Sequence, residues 1–193
     1  MVILITGGVR SGKSRFASTY AAQLGESGLF VATAIPGDAE MRERIRRHQE
    51  ERAQAAFHWE TAWEAYDLSG CLRRIKEQWQ RESKNPVILV DCLTLWLSNW
   101  LLRHEHDQPM EKVSRRIEEL TEELRDFPGT ILLVSNEVGY GLVPDYLLGR
   151  QFRDLSGIMN QSVAAVSDQV FLVTAGIPLE IKSRAFHIPG RCP

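Results

Sequence analysis

The residues with the clearest chemical meaning form the stretch Gly7-Gly8-Val9-Arg10-Ser11-Gly12-Lys13-Ser14, which has the spacing G-x-x-x-x-G-K-[ST] of a P-loop. In such a loop, glycines let consecutive backbone N–H groups point at a phosphate, and the start of the following helix adds its positive end. Lys13 is expected to reach the β and γ phosphates, and Ser14 to offer its hydroxyl to Mg²⁺. The stretch therefore predicts binding of a nucleoside triphosphate.

A carboxylate at the end of a neighbouring strand usually completes the Mg²⁺ site of a P-loop protein. Asp91 is the candidate, because it ends the apolar run Val87-Ile88-Leu89-Val90. The other use that fits an aspartate here is the N-cap of a helix that starts near Leu93. The combination of a P-loop with a strand-ending aspartate favours the metal site.

A second cluster of reactive side chains lies in residues 38–56, a helix-like segment rich in arginine. At helical spacing Arg44, His48 and Arg52 share one face. If that face looks toward the P-loop, the arginines could clamp a triphosphate and the imidazole could attack phosphorus. A solvated basic face balanced by nearby glutamates fits the same residues, and the pattern alone favours this second interpretation.

Residues 136–144 follow an apolar run and carry an amide, Asn136, a carboxylate, Glu137, and two glycines. A loop at the end of a strand lies where a substrate would bind. Alternatively, the segment is a tight connection in which Gly139 and Gly141 only permit unusual backbone angles.

Two further arginines, Arg150 and Arg153, come soon after this loop and could meet a phosphate. Ordinary surface ion pairs with Asp145 or Asp154 explain them equally well. Together with Asn136 and Glu137 they are the candidate substrate-binding residues.

The elements that must position these groups can be read from apolar periodicity. Short apolar runs, each too short for a helix, predict buried strands at residues 2–6, 29–33, 87–90, 130–135 and 170–174. Helix-length segments lie between them, and the first is predicted at 13–24. The clearest is amphipathic, ends at Pro128-Gly129 and carries a stripe of Val113, Ile117, Leu120, Leu124 and Phe127.

Strands that alternate with helices predict right-handed βαβ units. The expected fold is therefore α/β, a P-loop NTPase-type fold of three layers with a mainly parallel sheet and helices on both faces. Ligands then bind at the carboxyl ends of the strands. We expect a single domain over residues 1–193, a final antiparallel hairpin strand at 177–182 and a loose tail at 187–193.

Composition narrows the classes of function. The 193 residues suit one core, and 23 Lys and Arg against 25 Asp and Glu give a formal charge of −2. This balance favours neither nucleic acid nor an anionic membrane as a partner.

The three cysteines lack the spacing of a zinc site or a disulfide framework. No apolar run approaches the roughly 18 residues of a membrane span, and a strand and P-loop stand where a signal peptide would, so we expect a cytoplasmic protein.

Taken in order, these motifs make the chain resemble the bifunctional adenosylcobinamide kinase / adenosylcobinamide-phosphate guanylyltransferase family of cobalamin biosynthesis. The P-loop alone is typical of a superfamily, whereas several motifs in this order are typical of one family. The resemblance runs from residue 1 to about residue 182. It is carried by residues 6–15, Arg44-Ile45-Arg46-Arg47-His48, 91–99, 136–144, Arg150-Gln151-Phe152-Arg153-Asp154 with Gly157, Asn160 and Gln161, and Ala175-Gly176-Ile177-Pro178-Leu179.

The resemblance implies two reactions on one scaffold. The first transfers the γ-phosphoryl group of ATP or GTP to adenosylcobinamide. In the second, a histidine matched by His48 attacks the α-phosphorus of GTP, pyrophosphate leaves, and the bound GMP passes to adenosylcobinamide phosphate. The resemblance also implies Mg²⁺, a corrinoid substrate and a homo-oligomer, with a trimer as the expectation.

The implied site has His48 and Lys13 as catalytic residues and Ser14 and Asp91 as metal ligands. Its nucleotide-binding residues are Gly7, Gly8, Val9, Arg10, Ser11, Gly12, Lys13, Ser14, Ala32, Thr33, Ala34, Arg52, Glu64 and Asp91. The chain departs from the family pattern after the histidine, since a proline is missing and the spacing to Trp59 is longer. Trp63 stands at the usual acidic position, with Glu64 one residue later.

Two other functions fit parts of the sequence. A P-loop kinase of another small alcohol would keep Lys13, Ser14 and Asp91 and leave His48 idle. A GTPase-type switch is less compatible, because the sequence contains no Asn-Lys-x-Asp tetrad for reading guanine.

Overall fold

A computed structural model describes residues 1–37, 39–53, 56–82 and 86–186. Within these residues seven strands form one sheet: β1 (Val2–Gly7), β2 (Ser27–Ala32), β3 (His58–Trp63), β4 (Val87–Asp91), β5 (Ile131–Val134), β6 (Gln169–Thr174) and β7 (Ile177–Glu180). The helices are α1 (Lys13–Leu24), α2 (Ala39–Ala53), α3 (Leu68–Glu82), α4 (Leu93–Arg103), α5 (Pro109–Arg125) and α6 (Leu147–Val166), with a 3₁₀ turn at Lys182–Arg184.

The sheet has the order β3-β2-β4-β5-β1-β6-β7. All neighbouring strands are parallel except β7, which runs antiparallel to β6. The carboxyl ends of the parallel strands therefore lie at one edge of the sheet. The P-loop follows β1 there, Asp91 ends β4, and Asn136 lies two residues after β5. The predicted parallel sheet and its final hairpin strand are confirmed.

Helices cover both faces of the sheet, because successive side chains of a strand point to opposite sides. Val2 and Leu4 of β1 enter a core with residues of α3, α4, α5 and α6, whereas Ile3 and Ile5 enter a second core with α1. The three-layer α/β architecture is confirmed. Among the described residues, no helix is both long enough and apolar enough to cross a membrane.

Helix α2 is described over Ala39–Ala53, within the predicted 38–56, and residues 38, 54 and 55 fall outside the described residues. The structure corrects the predicted elements at two places. β3 was not predicted, since only Trp59 and Ala62 are partly buried and it offers no continuous apolar run. Phe127 lies beyond the end of α5, yet it is buried and packs edge-on against Trp79. The predicted tail at 187–193 falls outside the described residues.

Candidate nucleotide site

The P-loop joins the end of β1 to the start of α1. The chain turns sharply in it, with positive φ angles of 56° at Arg10 and 95° at Gly12, which is the N-cap of α1. The N–H of Ser11 donates to the carbonyl of Gly8 at 3.2 Å. The loop is thus a closed turn directly before the positive end of a helix, as phosphate binding requires.

Lys13 lies over this loop. Its Nζ donates to the carbonyl oxygen of Gly8 at 3.0 Å, and the residue is 8% exposed. Ser14, half-buried in the first turn of α1, follows it. Lys13 and Ser14 are thus the first two residues of α1, directly after the turn. Their contacts with phosphate and Mg²⁺ stay predictions.

The hairpin between β6 and β7 forms a second wall for the P-loop. Ala175 and Gly176 have positive φ angles of 51° and 79°, the pattern of a type I′ turn. The N–H of Gly176 donates to the carbonyl of Ser11 at 2.8 Å. A Cβ on Gly12 would lie 3.2 Å from the Cα of Gly176. The hairpin thus supports the loop backbone, a role that the sequence signalled only through the motif at 175–179.

The two glycines at the start of the P-loop are predicted to differ sharply in how much an alanine substitution lowers the free energy of unfolding. A Cβ on Gly7 would lie 2.3 Å from the carbonyl oxygen of Val173, a backbone atom of β6, whereas a Cβ on Gly8 meets nothing within 4 Å. Gly7→Ala must therefore part β1 from β6. We expect a loss of about 1–3 kcal/mol in the free energy of unfolding, the usual cost of overpacking.

Gly8→Ala is the matched control for this substitution and is expected to leave the unfolding free energy nearly unchanged. Urea denaturation of both variants measures the difference. Equal stabilities would contradict the close approach of β1 to β6.

Asp91 is the last residue of β4 and is half-buried at the edge of the sheet that carries the P-loop. One strand, β5, lies between β4 and β1. Helix α4 starts at Leu93 with Cys92 at its N-cap, so the N-cap alternative for Asp91 is wrong. We call the edge of the sheet where the P-loop, Asp91 and Asn136 lie the nucleotide edge. The position of Asp91 there fits a carboxylate that binds Mg²⁺ beside the nucleotide.

Thr33, one of the predicted nucleotide contacts, joins β2 to the end of β4. The residue is fully buried, and its hydroxyl donates to the carbonyl of Cys92 at 2.7 Å and accepts from the Cys92 N–H at 2.8 Å. Asn99 of α4 donates to the carbonyl of Thr33 at 2.9 Å. The side chain of Thr33 therefore fixes the backbone beside Asp91, while Ala32 and Ala34 flank it at the same edge.

Thr33→Val is predicted to lower the unfolding free energy by about 1–3 kcal/mol, because it keeps the shape of the side chain and removes two buried hydrogen bonds. Thr33→Ser keeps the hydroxyl and should retain most of the stability. Chemical denaturation of both variants tests this. If Val were as stable as Ser while GTP affinity fell, Thr33 would act on the nucleotide instead.

The carboxylate of Glu64 organises the turn before α3. One oxygen accepts from the N–H groups of Tyr66 at 3.1 Å and Asp67 at 2.8 Å, and the other lies 3.4 Å from Arg74 Nη2. These contacts give Glu64 a local structural role. Its contact with a nucleotide stays a prediction.

Asn136 and Glu137 lie against the base of the P-loop. The N–H of Glu137 donates to the Gly7 carbonyl at 3.0 Å, and its carboxylate accepts from the hydroxyl of Thr6 at 3.4 Å. The N–H of Asn136 donates to the Thr94 hydroxyl at 2.7 Å, and its carbonyl accepts from Asn160 at 3.1 Å. The structure brings these two candidates to the nucleotide edge.

Thr94 and Asn160 were not among the predicted site residues, although both lie in segments that carry the family resemblance. They are linked through the buried hydroxyl of Ser135, which donates to Asn160 at 2.6 Å and lies 3.5 Å from the Thr94 hydroxyl. A polar network under the loop thus sets the direction in which the chain leaves β5.

Arg150 and Arg153 bind the backbone of the loop that precedes α6. Arg150 donates to the carbonyls of Pro144 at 3.2 Å and Asp145 at 2.7 Å, and Arg153 donates to the Gly139 carbonyl at 2.7 Å. Among the described residues neither arginine forms an ion pair with Asp145 or Asp154. Both therefore shape the loop.

Helix α2 carries the predicted nucleophile, and its helical backbone is confirmed. The side chains of Arg44, His48 and Arg52 lie outside the described part of the structure. Arg46, which is exposed, pairs with Glu43 at 2.6 Å and also with Glu50. Part of the basic surface of α2 is thus balanced by glutamates.

The site can be compared with known proteins. The family model described as cobinamide kinase / cobinamide phosphate guanyltransferase matches residues 3–181. The bifunctional adenosylcobalamin biosynthesis protein CobP of Pseudomonas aeruginosa is 42% identical over 179 residues, which are 93% of this chain and 96% of that protein. The corresponding protein CobU of Escherichia coli is 36% identical over 201 residues, 94% of this chain and 100% of that protein.

Solved structures extend the comparison to the fold. The type III secretion ATPase EscN of enteropathogenic E. coli has a TM-score of 0.58 at 14% identity, over 90% of this chain and 43% of that one. A prototypical type III secretion ATPase of pathogenic bacteria has a TM-score of 0.51 at 12% identity, over 96% and 58%. These likenesses show a P-loop NTPase fold. The family model that matches residues 3–181 and the two relatives at 42% and 36% identity show that this protein belongs to the cobinamide kinase / cobinamide phosphate guanyltransferase family of enzymes.

Proposed function

We propose that this chain phosphorylates adenosylcobinamide with ATP or GTP and then transfers GMP from GTP to adenosylcobinamide phosphate through a covalent guanylyl-histidine at His48. The products of the second step are adenosylcobinamide-GDP and pyrophosphate. The observation that carries the proposal is a complete P-loop, with Lys13 folded over it, in a chain of this family.

In the kinase step the acceptor hydroxyl attacks the γ-phosphorus, and the bond from that phosphorus to the β–γ bridging oxygen breaks. ADP or GDP leaves, and the hydroxyl proton is released. Catalysis of this kind depends on positioning and on neutralising phosphate charge, which the loop N–H groups and Lys13 supply. Asn136 and Glu137, at the base of the loop, are the residues we assign to the acceptor side.

Ser14 and Asp91 fit a Mg²⁺ ion chemically, because Mg²⁺ prefers oxygen ligands and keeps several waters. Both residues are half-buried; Asp91 ends β4, and Ser14 lies in the first turn of α1 after the loop that follows β1, a strand that ends at the same edge of the sheet. Bound there with the nucleotide, Mg²⁺ would neutralise charge that develops on the phosphate oxygens.

In the second step a nitrogen of the His48 imidazole attacks the α-phosphorus of GTP, and the bond to the α–β bridging oxygen breaks. A neutral imidazole is nucleophilic near pH 7, and the arginines of α2 would stabilise charge on phosphorus. A phosphate oxygen of the acceptor then attacks the same phosphorus, the N–P bond breaks, and His48 is regenerated. Dividing the transfer in two lets one site serve a bulky acceptor.

The test is to incubate the protein with Mg²⁺ and GTP labelled at the α-phosphate. We expect protein-bound label that is acid-labile and base-stable, and that moves to adenosylcobinamide-GDP when adenosylcobinamide phosphate is added. GTP labelled at the γ-phosphate is the control and should leave no label. Kinase turnover without any α-label would instead indicate a P-loop kinase of an alcohol.

We also propose that the chain forms a homo-oligomer, with a trimer as the expected state. Sedimentation velocity of the purified protein measures this directly.

A further inference from the structure

The loop between β5 and α6 presents apolar side chains to solvent. We call residues 138–147 the apolar loop. Five of its side chains are between 62% and 97% exposed: Tyr140, Leu142, Val143, Tyr146 and Leu147. Single exposed apolar residues are ordinary, but five within ten consecutive residues favour a surface that meets a ligand or a partner.

The shape of the apolar loop is held by α6. Arg153 binds the carbonyl of Gly139, and Arg150 binds those of Pro144 and Asp145. Gly149 allows a close approach, since a Cβ there would lie 2.7 Å from Pro144 Cβ and from the ring of Tyr146. The apolar side chains are thus presented on a fixed backbone, which reduces the ordering cost of binding.

The apolar loop continues directly from the nucleotide edge. Glu137, the residue before it, donates its N–H to the carbonyl of Gly7 at 3.0 Å. The apolar loop therefore starts beside the P-loop, and an acceptor held on its first residues lies near the nucleotide from which it must receive a group.

We propose that the apolar loop is the docking surface for the corrin macrocycle of the acceptor in both reactions. This inference rests on the proposed function. A corrin ring presents methyl groups and a broad apolar surface, which the aliphatic side chains cover, together with amide arms, which the hydroxyls of Tyr140 and Tyr146 can bind. The phosphates of the nucleotide are polyanionic and gain nothing from an aliphatic surface, and the affinity for GTP measured below shows whether its purine ring stacks on the tyrosines.

The same corrin ring enters both steps, so one platform serves two transfers. Removing part of the apolar loop should weaken binding of the corrinoid in both the kinase reaction and the guanylyl transfer. The P-loop does not belong to the apolar loop, so nucleotide affinity should stay the same. A second copy of the chain seated on the apolar loop would instead make its loss visible in the oligomeric state.

The test uses the double variant Tyr140→Ser, Leu142→Ser in the full chain, with dicyanocobinamide as the coloured probe. We expect its dissociation constant in equilibrium dialysis to rise about tenfold or more, from the apolar area lost. The dissociation constant of GTP should not change. The matched control is Leu102→Ser, which replaces a side chain 58% exposed near the end of α4 and should alter neither constant.

The outcomes separate the two proposals. Unchanged dicyanocobinamide binding in the double variant would overturn this inference alone. A changed sedimentation coefficient in that variant would also overturn it, in favour of a contact between copies. Wild-type protein that binds GTP but no cobinamide would overturn the proposed function, and this inference with it.

Discussion

Lys13→Met is expected to slow both phosphoryl transfer and guanylyl transfer by about 10²- to 10³-fold, the scale for removing one preorganised donor from a transition state. In the proposed mechanism both reactions leave charge on phosphate oxygens held by the P-loop. Lys13 is the cation that the structure folds over that loop, 3.0 Å from the Gly8 carbonyl. Methionine keeps the apolar stem of this buried side chain, so the variant should fold.

The measurement is kcat/KM for each reaction, together with the dissociation constant of GTP and the unfolding midpoint. Lys112→Met is the control, because that lysine pairs with Asp107 at the start of α5. Its rates should equal those of the wild type. If Lys13→Met kept its kinase turnover with a normal unfolding midpoint, the nucleotide would bind elsewhere than at residues 7–14.

The P-loop and the parallel strands were predictable because their signals are local. Glycine spacing and short apolar runs of the kind that ends at Asp91 are properties of a few consecutive residues. A strand of a parallel sheet between two helix layers is buried on both faces, so its sequence is a continuous apolar run, as in β1. The sequence therefore predicted that the P-loop, Asp91 and Asn136 lie at the same edge of the sheet, while their contacts with a nucleotide stay predictions.

Features that depend on distant contacts were not predictable in the same way. A Cβ at position 7 would clash with a backbone carbonyl of β6, which is why glycine is needed there. The carbonyl of Ser11 accepts its hydrogen bond from Gly176 in the hairpin between β6 and β7. β3 lies at the edge of the sheet and is only partly buried, so it carries no continuous apolar run. Local sequence patterns do not indicate which residues far apart in the chain come into contact.

The arginines after β5 show how residue type alone leaves function open. Arg150 and Arg153 suggested either phosphate contacts or surface ion pairs, and the structure gives them backbone carbonyls of the loop before α6. Each guanidinium carries five N–H donors, and these bonds use only one of its nitrogens. Both arginines therefore hold the loop, and a direct contact with substrate through their other donors stays a prediction.

His48→Ala is expected to abolish the acid-labile label from α-labelled GTP and to lower guanylyl transfer by about 10⁴-fold or more, as loss of a covalent nucleophile does. Phosphoryl transfer to adenosylcobinamide should continue, because in the proposed mechanism that step depends on Lys13, Ser14 and Asp91 and breaks a bond at a different phosphorus. One substitution would thus separate two activities that share a P-loop.

His58→Ala is the control for this experiment, since His58 is an exposed histidine on β3. It should keep both the label and both rates. Label that survives in His48→Ala but disappears in His58→Ala would assign the nucleophile to β3. Full label in both variants would remove the histidine from α2 as the nucleophile and leave the arginines there as a solvated basic surface, the interpretation that the pattern of residues alone favours.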